Sequence, residues 1–352
     1  MSLLDKIKKN SSIKETAILS KSKFFEDKDL IHIGIPALDI ANSGDIDGGF
    51  APGHTMWAGP SKNFKTGFTL IMARAYQQKY PDGVILFYDS EFGSPQAYFK
   101  SFGIDMDRVV HTPVTDVEQL KFDIMKQLDG IVRGDRVMIV IDSIGNLASK
   151  KEVEDALEGK SVADMTRAKG IKSLFRMVTP HLNLKDIPMV TINHTYKTLE
   201  LYSKDVVGGG TGSYYSADNI FILGRQQEKN KTTNEIEGYT FVINVEKSRY
   251  VREKSKIPFL VTFDGGINKF AGLLEIAQET GHVVKVKVGN SNGYSRVNID
   301  TGEIEDKKWK EVDTDDEAFW GDLLKSKSFK DAVRAKYQFA SEFKHTEEPT
   351  DA

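Results

Sequence analysis

The sequence predicts an α/β fold with a largely parallel central sheet and helices on both of its faces. Between residues 31 and 270, apolar runs of strand length alternate with helical stretches, and the first four runs are separated by enough residues for crossover helices. The later runs follow one another more closely, which predicts antiparallel additions to the sheet. The candidate strands are Thr55–Ala58, Val84–Tyr88, Val137–Ile141, Met189–Ile192, Ile220–Leu223, Thr240–Val245 and Phe259–Phe263.

Composition bounds the classes of protein to which the chain can belong. Its 352 residues suffice for one large or two moderate domains with a sizeable core. The chain has no cysteines, which excludes disulfides and thiolate metal sites. No apolar run approaches the roughly 20 residues that span a membrane, and the first residues lack the apolar stretch of a secretory signal. Because the net charge is only −3, any nucleic-acid surface must be a local basic patch.

The first 30 residues are predicted to be an N-terminal arm used in oligomerisation. Leu3, Leu4 and Ile7 recur there at helical spacing. Phe24 and Phe25 follow, and two adjacent aromatic residues on an arm need cover. Either their own domain or a neighbouring subunit could provide that cover.

The C-terminal part is predicted to form a small α+β domain over residues 271–340, after a core over residues 31–270. Leu273–Thr280 has the pattern of a helix that ends at Gly281, and a polar, glycine-rich span follows. A small helical core is predicted from the apolar residues Phe319, Trp320, Leu323, Leu324, Phe329 and Val333. Residues 341–352 are predicted to be a disordered tail.

The stretch Thr55–Thr66, TMWAGPSKNFKT, has the order of elements found in a phosphate-binding loop. An apolar strand is followed by a tight loop, and Lys65 and Thr66 then open a helical segment. In such a loop, backbone N–H groups and a helix N-terminus face one anion. The lysine adds charge for the outer phosphates, and the hydroxyl after it can ligate magnesium.

Phe64 departs from the usual signature G-x-x-x-x-G-K-[ST], because it stands where the second glycine belongs. Glycine is expected there since such loops often need a positive φ, which strains a bulky residue. This stretch alone therefore leaves open an ordinary strand–turn–helix with an exposed Lys65.

Polar side chains end three other candidate strands. Asp142 ends one of them, where an acid can hold magnesium through water or cap the next helix. Glu91 is the candidate to activate a water molecule, with Asp89 as the alternative, although both could be solvated loop acids. His194 follows a third strand, where it could sense the γ-phosphate or be a structural histidine.

The segment Thr195–Ser213 contains the glycine run Gly208–Gly212. A glycine run has no fixed structure of its own, so a ligand is expected to order it. Its amides could approach a phosphate backbone closely, or the segment could be a plain flexible loop.

Together these features resemble the RecA family of recombinases, and within it the members from T-even phages. The phage members similarly have phenylalanine in place of the second loop glycine, so the departure at Phe64 favours a competent site. The matching stretches occur in family order between about Ile31 and Ala271: AGPSKNFKT, LFYDSEFG, VIDSIGNLASKKE, DMTRAKGIKSLFR, INHTY, GGGTG and NVEKSR.

The resemblance implies a site for ATP and Mg2+. Thr66 and Asp142 would hold the magnesium, and Glu91 would activate water. Tyr98 would stack on the adenine, and His194 would replace the glutamine that senses the γ-phosphate in bacterial members. The residues implied to contact the nucleotide are Gly59, Pro60, Ser61, Lys62, Asn63, Phe64, Lys65, Thr66, Gly67, Tyr98 and Asp142.

The resemblance also implies two DNA-binding loops, near Leu147–Asp164 and Thr195–Ser213. The residues matched to DNA-contacting positions are Lys172, Arg176, Gly208, Gly209 and Gly210.

Lys247 and Arg249 match basic residues that reach across the subunit interface to a neighbour's ATP. They alternate after the last residues of a candidate strand, so both point to the same side of an extended chain. The sequence by itself favours a solvated basic edge instead, paired with Glu246 or Glu253.

The resulting interpretation is an ATP-dependent DNA recombinase that polymerises on single-stranded DNA, searches duplex DNA for homology and exchanges strands. Its implied partners are both forms of DNA, further copies of itself, a recombination mediator and a single-stranded-DNA-binding protein, in the cytoplasm of a host cell and with no membrane. One alternative is a replicative helicase with the same core, for which the arm is too short to supply the usual N-terminal domain. Another is a filament protein that no longer hydrolyses ATP, which the retained Lys65, Thr66, Glu91 and Asp142 argue against.

Overall fold

A nine-stranded mixed sheet forms the centre of this computed structural model, which describes residues 2–22, 28–160, 165–198, 205–230 and 233–339. The sheet order is β11-β10-β9-β8-β1-β5-β4-β2-β3, and β6 and β7 form a separate hairpin. The strands are β1 (Gly53–Ala58), β2 (Val84–Asp89), β3 (Val109–Pro113), β4 (Val137–Asp142), β5 (Pro188–Asn193), β6 (Thr195–Lys197), β7 (Asp205–Val207), β8 (Asn219–Lys229), β9 (Ile236–Lys247), β10 (Lys256–Thr262) and β11 (Gly266–Ile267).

The predicted α/β class is confirmed, with two corrections to the strand pattern. The strand over Ile220–Leu223 belongs to β8, which pairs parallel with β1, so the antiparallel additions begin only at β9. The edge strand β3 was not predicted, because its sequence VVHTP is short and mostly exposed and lacks the long apolar run of the inner strands.

Helices cover both faces of the sheet. Neighbouring residues of the inner strands face opposite sides, so Phe87 and Val140 join one apolar cluster while Leu86 and Ile139 join another. This burial on both faces explains the continuous apolar runs of these strands. The helices are α1 (Leu3–Asn10), α2 (Pro36–Ser43), α3 (Lys65–Lys79), α4 (Gln96–Ser101), α5 (Val117–Gly130), α6 (Lys150–Leu157), α7 (Thr166–Lys185), α8 (Thr211–Ser216), α9 (Leu273–Glu279), α10 (Glu317–Lys325) and α11 (Lys327–Tyr337).

The C-terminal part adds a three-stranded antiparallel sheet and helices α9 to α11. Its strands are β12 (Val283–Val288), β13 (Ser291–Arg296) and β14 (Trp309–Lys310). They lie in the polar, glycine-rich span, for which no strands were predicted. Phe319 and Phe329 are fully buried, but in the same apolar cluster as Trp57 of the main sheet. The division into domains at residue 270 therefore stays a prediction.

The two ends of the chain are described only in part. Helix α1 exposes Leu3, Leu4 and Ile7, and Phe24 and Phe25 lie outside the described residues. The predicted tail over residues 341–352 lies outside them too. Among the helices that are described, none combines the length and the apolar character of a membrane span.

Candidate nucleotide site and nucleic-acid surface

The loop between β1 and α3 is held closed by its own lysine. Lys65 is buried, and its Nζ donates to the carbonyl oxygens of Gly59 at 3.0 Å and Pro60 at 2.8 Å. Burial lowers the pKa of Lys65, while the carboxylates of Glu91 and Asp142 oppose that shift. The interpretation with an exposed Lys65 is therefore wrong.

Phe64 does adopt the left-handed conformation that its position demands, with φ of 61°. Its ring stacks on Phe241 with centroids 5.2 Å apart and meets the edge of Phe68 at 5.4 Å. These contacts offset the strain that a bulky side chain suffers there. The ring lies over Gly67 in the first turn of α3, where an added Cβ would come within 2.5 Å of it, so the Phe64 ring requires a glycine at that position.

Two side chains fasten the loop to β8. Asn63 Nδ2 donates to the carbonyl oxygen of Leu223 at 2.6 Å, and Arg225 Nη1 donates to that of Lys62 at 3.0 Å. Arg225 was not predicted as a site residue, since nothing near it in the chain indicates that β8 lies beside β1.

Thr66 and Asp142 meet at the start of α3. Thr66 Oγ1 donates to Asp142 Oδ2 at 2.8 Å, so Asp142 does not cap the next helix, α6, whose N-cap is Ser149. Burial, reinforced by the carboxylates of Glu91 and Asp89, raises the pKa of Asp142 to about 7.

Asp142 is also the residue that fits a cation in this structure. Its Oδ1 is buried and has no hydrogen-bond partner among the described residues. An orphaned carboxylate oxygen beside a hydroxyl is a suitable donor set for magnesium, which keeps several waters and takes oxygen ligands from phosphates.

The two candidate acids after β2 have different environments. Asp89 Oδ1 accepts hydrogen bonds from the N–H groups of Glu91 at 2.9 Å and Phe92 at 2.8 Å, so this buried carboxylate shapes the turn. Glu91 reaches past the strand end, and its Oε1 lies 3.1 Å from His194 Nε2. That hydrogen bond, the largest cause, lowers the pKa of Glu91. Of the two acids, Glu91 lines the cavity that also contains Lys65, Thr66 and Asp142, and Asp89 does not.

His194 packs on Gly145, which lies in the loop that leaves β4. A Cβ added at Gly145 would lie 2.3 Å from His194 Cδ2. The imidazole therefore packs directly against the backbone, which fixes its distance from Glu91. This role of Gly145 was not predicted, because Gly145 and His194 are adjacent only in space.

One cavity of about 370 Å³ collects these side chains. Its lining includes the loop residues from Ser61 to Gly67 together with Glu91, Tyr98, Asp142 and His194. A larger cavity of about 610 Å³ lies behind Phe64 and Phe102, and its lining contains none of the predicted acids.

The residues predicted to contact DNA lie on a neighbouring surface. Lys172 and Arg176 are exposed on α7, one turn apart. The glycine run packs on the same helix, since a Cβ at Gly209 would meet Ile171 at 3.4 Å and one at Gly210 would meet Ala168 at 3.7 Å. Parts of both predicted loops, residues 161–164 and 199–204, lie outside the described residues.

The glycine run is joined to the cavity by a backbone contact. The N–H of Gly208 donates to the carbonyl oxygen of His194 at 2.9 Å. A displacement of the His194 backbone would therefore shift or break its hydrogen bond to Gly208 in the glycine run.

Lys247 and Arg249 lie at the other end of the sheet. Lys247 is in register with Ile220, and Arg249 forms an ion pair with Asp218, which bonds to the first residues of β1. Since β1 has six residues that rise about 3.3 Å each, the Asp218–Arg249 pair is roughly 20 Å from the phosphate loop of the same chain. Lys247 is level with Met56 through Ile220, so along the strand direction it is only roughly 10 Å from that loop.

The predicted partners of these two basic residues are wrong. Arg249 pairs with Asp218 instead of Glu246 or Glu253, and Lys247 Nζ donates to the carbonyl oxygens of Tyr214 and Tyr215 at 3.1 Å each.

Two family models match the chain, and so do several known proteins. Residues 2–268 match the family described as the RecA N-terminal domain, and residues 270–333 match "Bacteriophage T4, Recombination and repair protein, C-terminal domain". The chain is 52% identical to the recombination and repair protein of Enterobacteria phage T4 over 343 residues, which are 96% of this chain and 86% of that protein.

More distant similarities extend to bacteria. Protein RecA of a Synechococcus strain is 26% identical over 306 residues, covering 84% of this chain and 76% of that protein. A solved structure of the RadB recombinase covers 66% of this chain and 96% of its own, with a TM-score of 0.48 and 18% identity. That likeness is too distant to support an argument.

Proposed function

Because this chain belongs to the RecA family, we propose that it is an ATP-dependent DNA recombinase that forms filaments on single-stranded DNA. The observation that supports the ATPase part is the single cavity that gathers Lys65, Thr66, Asp142, Glu91 and His194. Single-stranded DNA, homologous duplex DNA and further copies of the chain are its proposed partners. A mediator and a single-stranded-DNA-binding protein would assist it in the cytoplasm of an infected host cell.

The proposed chemistry is hydrolysis of the γ-phosphate. Lys65 binds the outer phosphates, and Glu91 takes a proton from the attacking water. A magnesium ion held by Thr66 and Asp142 supplies positive charge beside the phosphates when it is bound. His194 senses the γ-phosphate, and its backbone contact with Gly208 passes that state to the glycine run.

Lys247 and Arg249 complete the site of the neighbouring subunit in this proposal. Arg249 lies roughly 20 Å from its own phosphate loop, and Lys247 Nζ is held by the carbonyl oxygens of Tyr214 and Tyr215, so in this proposal both residues act on another copy. There they would neutralise charge that develops as the phosphoryl group leaves. Turnover would then depend on assembly, and therefore on DNA.

Turnover of ATP with and without single-stranded DNA tests the proposal. Strong stimulation by DNA without unwinding of duplex DNA is the expected result. Unwinding would indicate a helicase, and binding without turnover would indicate a filament protein that no longer hydrolyses ATP.

Mixing two inactive variants tests the action across subunits. Lys65→Ala removes one half of the site and the double variant Lys247→Ala, Arg249→Ala removes the other, so a mixed filament regains complete sites at one kind of junction. Partial recovery of turnover is expected. No recovery in filaments shown to contain both proteins would reject the assignment.

A further inference from the structure

Asp218 lies just before β8, and both oxygens of its carboxylate accept hydrogen bonds. Oδ2 accepts from the N–H of His54 at 2.8 Å, and Oδ1 accepts from Arg249 Nε. The N–H of Asp218 donates in turn to the carbonyl oxygen of His54 at 2.8 Å. These contacts fix the carboxylate to the first residues of β1, in the rigid centre of the sheet.

The place for this carboxylate is made by a glycine. Gly53 has φ of 118°, and a Cβ added there would lie 2.4 Å from Asp218 Oδ2. The absence of a side chain at Gly53 thus leaves room for the Asp218 carboxylate. Any other residue at position 53 would collide with it.

In the Asp218–Arg249 ion pair, the carboxylate is buried and the guanidinium is exposed to solvent. The Asp218 side chain is 10% exposed, whereas that of Arg249 is 67% exposed. The contact uses Nε, so most of the guanidinium remains accessible to a group on another molecule. Arginine is well suited to this arrangement, because one face of its planar fork can be held while the other binds an anion.

Asp218 also offsets repulsion between the two basic residues. The pKa of Lys247 is lowered first by burial and then by the nearby charge of Arg249, and Asp218 opposes that shift. Without the carboxylate, two like charges would stand together with less compensation.

We propose that Asp218 is a positioning residue that presents Arg249 to the nucleotide of the neighbouring subunit. This inference rests on the proposed action of Arg249 across subunits. A buried carboxylate that holds Nε before assembly reduces the conformational freedom that the long side chain must lose on reaching the phosphate. The opposite role, a latch that withholds Arg249 until assembly, predicts the opposite sign in the same experiment.

Asp218→Asn tests the inference, because it removes the charge and keeps the shape. In filaments on single-stranded DNA, kcat should fall about tenfold or more. ATP binding to the protein without DNA should not change, since that site is roughly 20 Å away. Asp45→Asn is the matched control, because it removes another carboxylate paired with an arginine, Arg334, outside the proposed site.

A double-mutant cycle separates positioning from a general loss of structure. Asp218→Asn should have no further effect on kcat in an Arg249→Ala background, while Arg249→Ala alone should lower kcat. If Arg249→Ala leaves kcat unchanged, the action across subunits is rejected. If Arg249→Ala lowers kcat but Asp218→Asn leaves it unchanged or raises it, the positioning role is rejected.

A second variant keeps the test decisive if Asp218→Asn does not fold. Asp218→Glu retains the charge but places the carboxylate one methylene further out, so the guanidinium is displaced. Its kcat on DNA should be reduced with normal ATP binding, and wild-type turnover by a folded Asp218→Glu protein would also reject the inference.

Discussion

The two ends of β1 carry complementary features. At its C-terminal end, Lys65 and Asn63 are buried and satisfied by contacts within the chain, so the phosphate loop is already formed. At its N-terminal end, Asp218 is buried but Arg249 is largely exposed. The C-terminal end of β1 is followed by a preformed loop, whereas the N-terminal end has a buried carboxylate that holds an exposed guanidinium. With the proposed function, this difference predicts that the loop binds nucleotide in one chain and that hydrolysis requires two.

Glu91→Gln should produce the largest effect, because it removes the proposed general base from the phosphate-loop end of β1. An amide cannot take the proton of water, so turnover should fall by about 10²–10⁴ while ATP still binds. Filaments on DNA should persist longer, as electron microscopy can measure. If Asp89→Asn abolishes turnover and Glu91→Gln does not, the base has been assigned to the wrong carboxylate.

The pH dependence of stability sharpens the comparison, because only the phosphate-loop end contains a carboxyl with so high a pKa. Burial raises the pKa of Asp142 from 3.8 to about 7. The folded state then binds a proton that the unfolded state has released, so the free energy of unfolding should fall between about pH 4 and pH 7, by at most roughly 4 kcal/mol.

Thermal unfolding in a chelator measures this effect. Asp142→Asn should flatten the decline in Tm between about pH 4 and pH 7, and the exposed control Asp82→Asn should retain it. A decline that persists unchanged in Asp142→Asn would assign it to another group.

Lys65→Ala should weaken ATP binding even without DNA, because the loop is complete in one chain. The charge-assisted hydrogen bond that this change removes is worth roughly 1.5–3 kcal/mol. Calorimetric titration with ATP measures it, and Lys126→Ala, an exposed lysine on α5 outside the cavity, is the control. Equal affinities for the two variants would contradict the assignment of Lys65 to the phosphates.

Gly145→Ala should reduce turnover roughly ten- to a hundredfold by pushing His194 away from Glu91. His194→Gln in the same chain should restore part of the rate, since glutamine has no ring at the position of the clash. Gly130→Ala, where an added Cβ meets nothing within 4 Å, is the control. If the double variant is no better than Gly145→Ala, the contact with the imidazole is not the cause.

The smallest expected effect concerns the surface of α7. Replacing Lys172 or Arg176 with alanine should reduce the salt dependence of DNA binding by roughly one ion for each phosphate that is no longer neutralised. Lys126→Ala, exposed on α5, should leave the slope unchanged. The same slope for all of these proteins would make Lys172 and Arg176 ordinary surface charges.

The sequence by itself determined the α/β class, the positions of the inner strands and the phosphate-binding loop. These features are local, because a buried parallel strand is a continuous apolar run and a loop before a helix has its own residue pattern. The polar strand ends at Asp142, Glu91 and His194 were also predictable. Each follows an apolar run in the sequence, and parallel strands bring their carboxyl ends to one edge of the sheet.

Only the tertiary structure decided which side chains meet. The sequence favoured Glu91 over Asp89, but the contacts of the two carboxylates depend on how the turn after β2 folds. It could not pair Arg249 with Asp218 or place His194 on Gly145, since these partners come from different crossover units. Strand order and the packing of distant segments fix such contacts, and no local pattern in the chain encodes them.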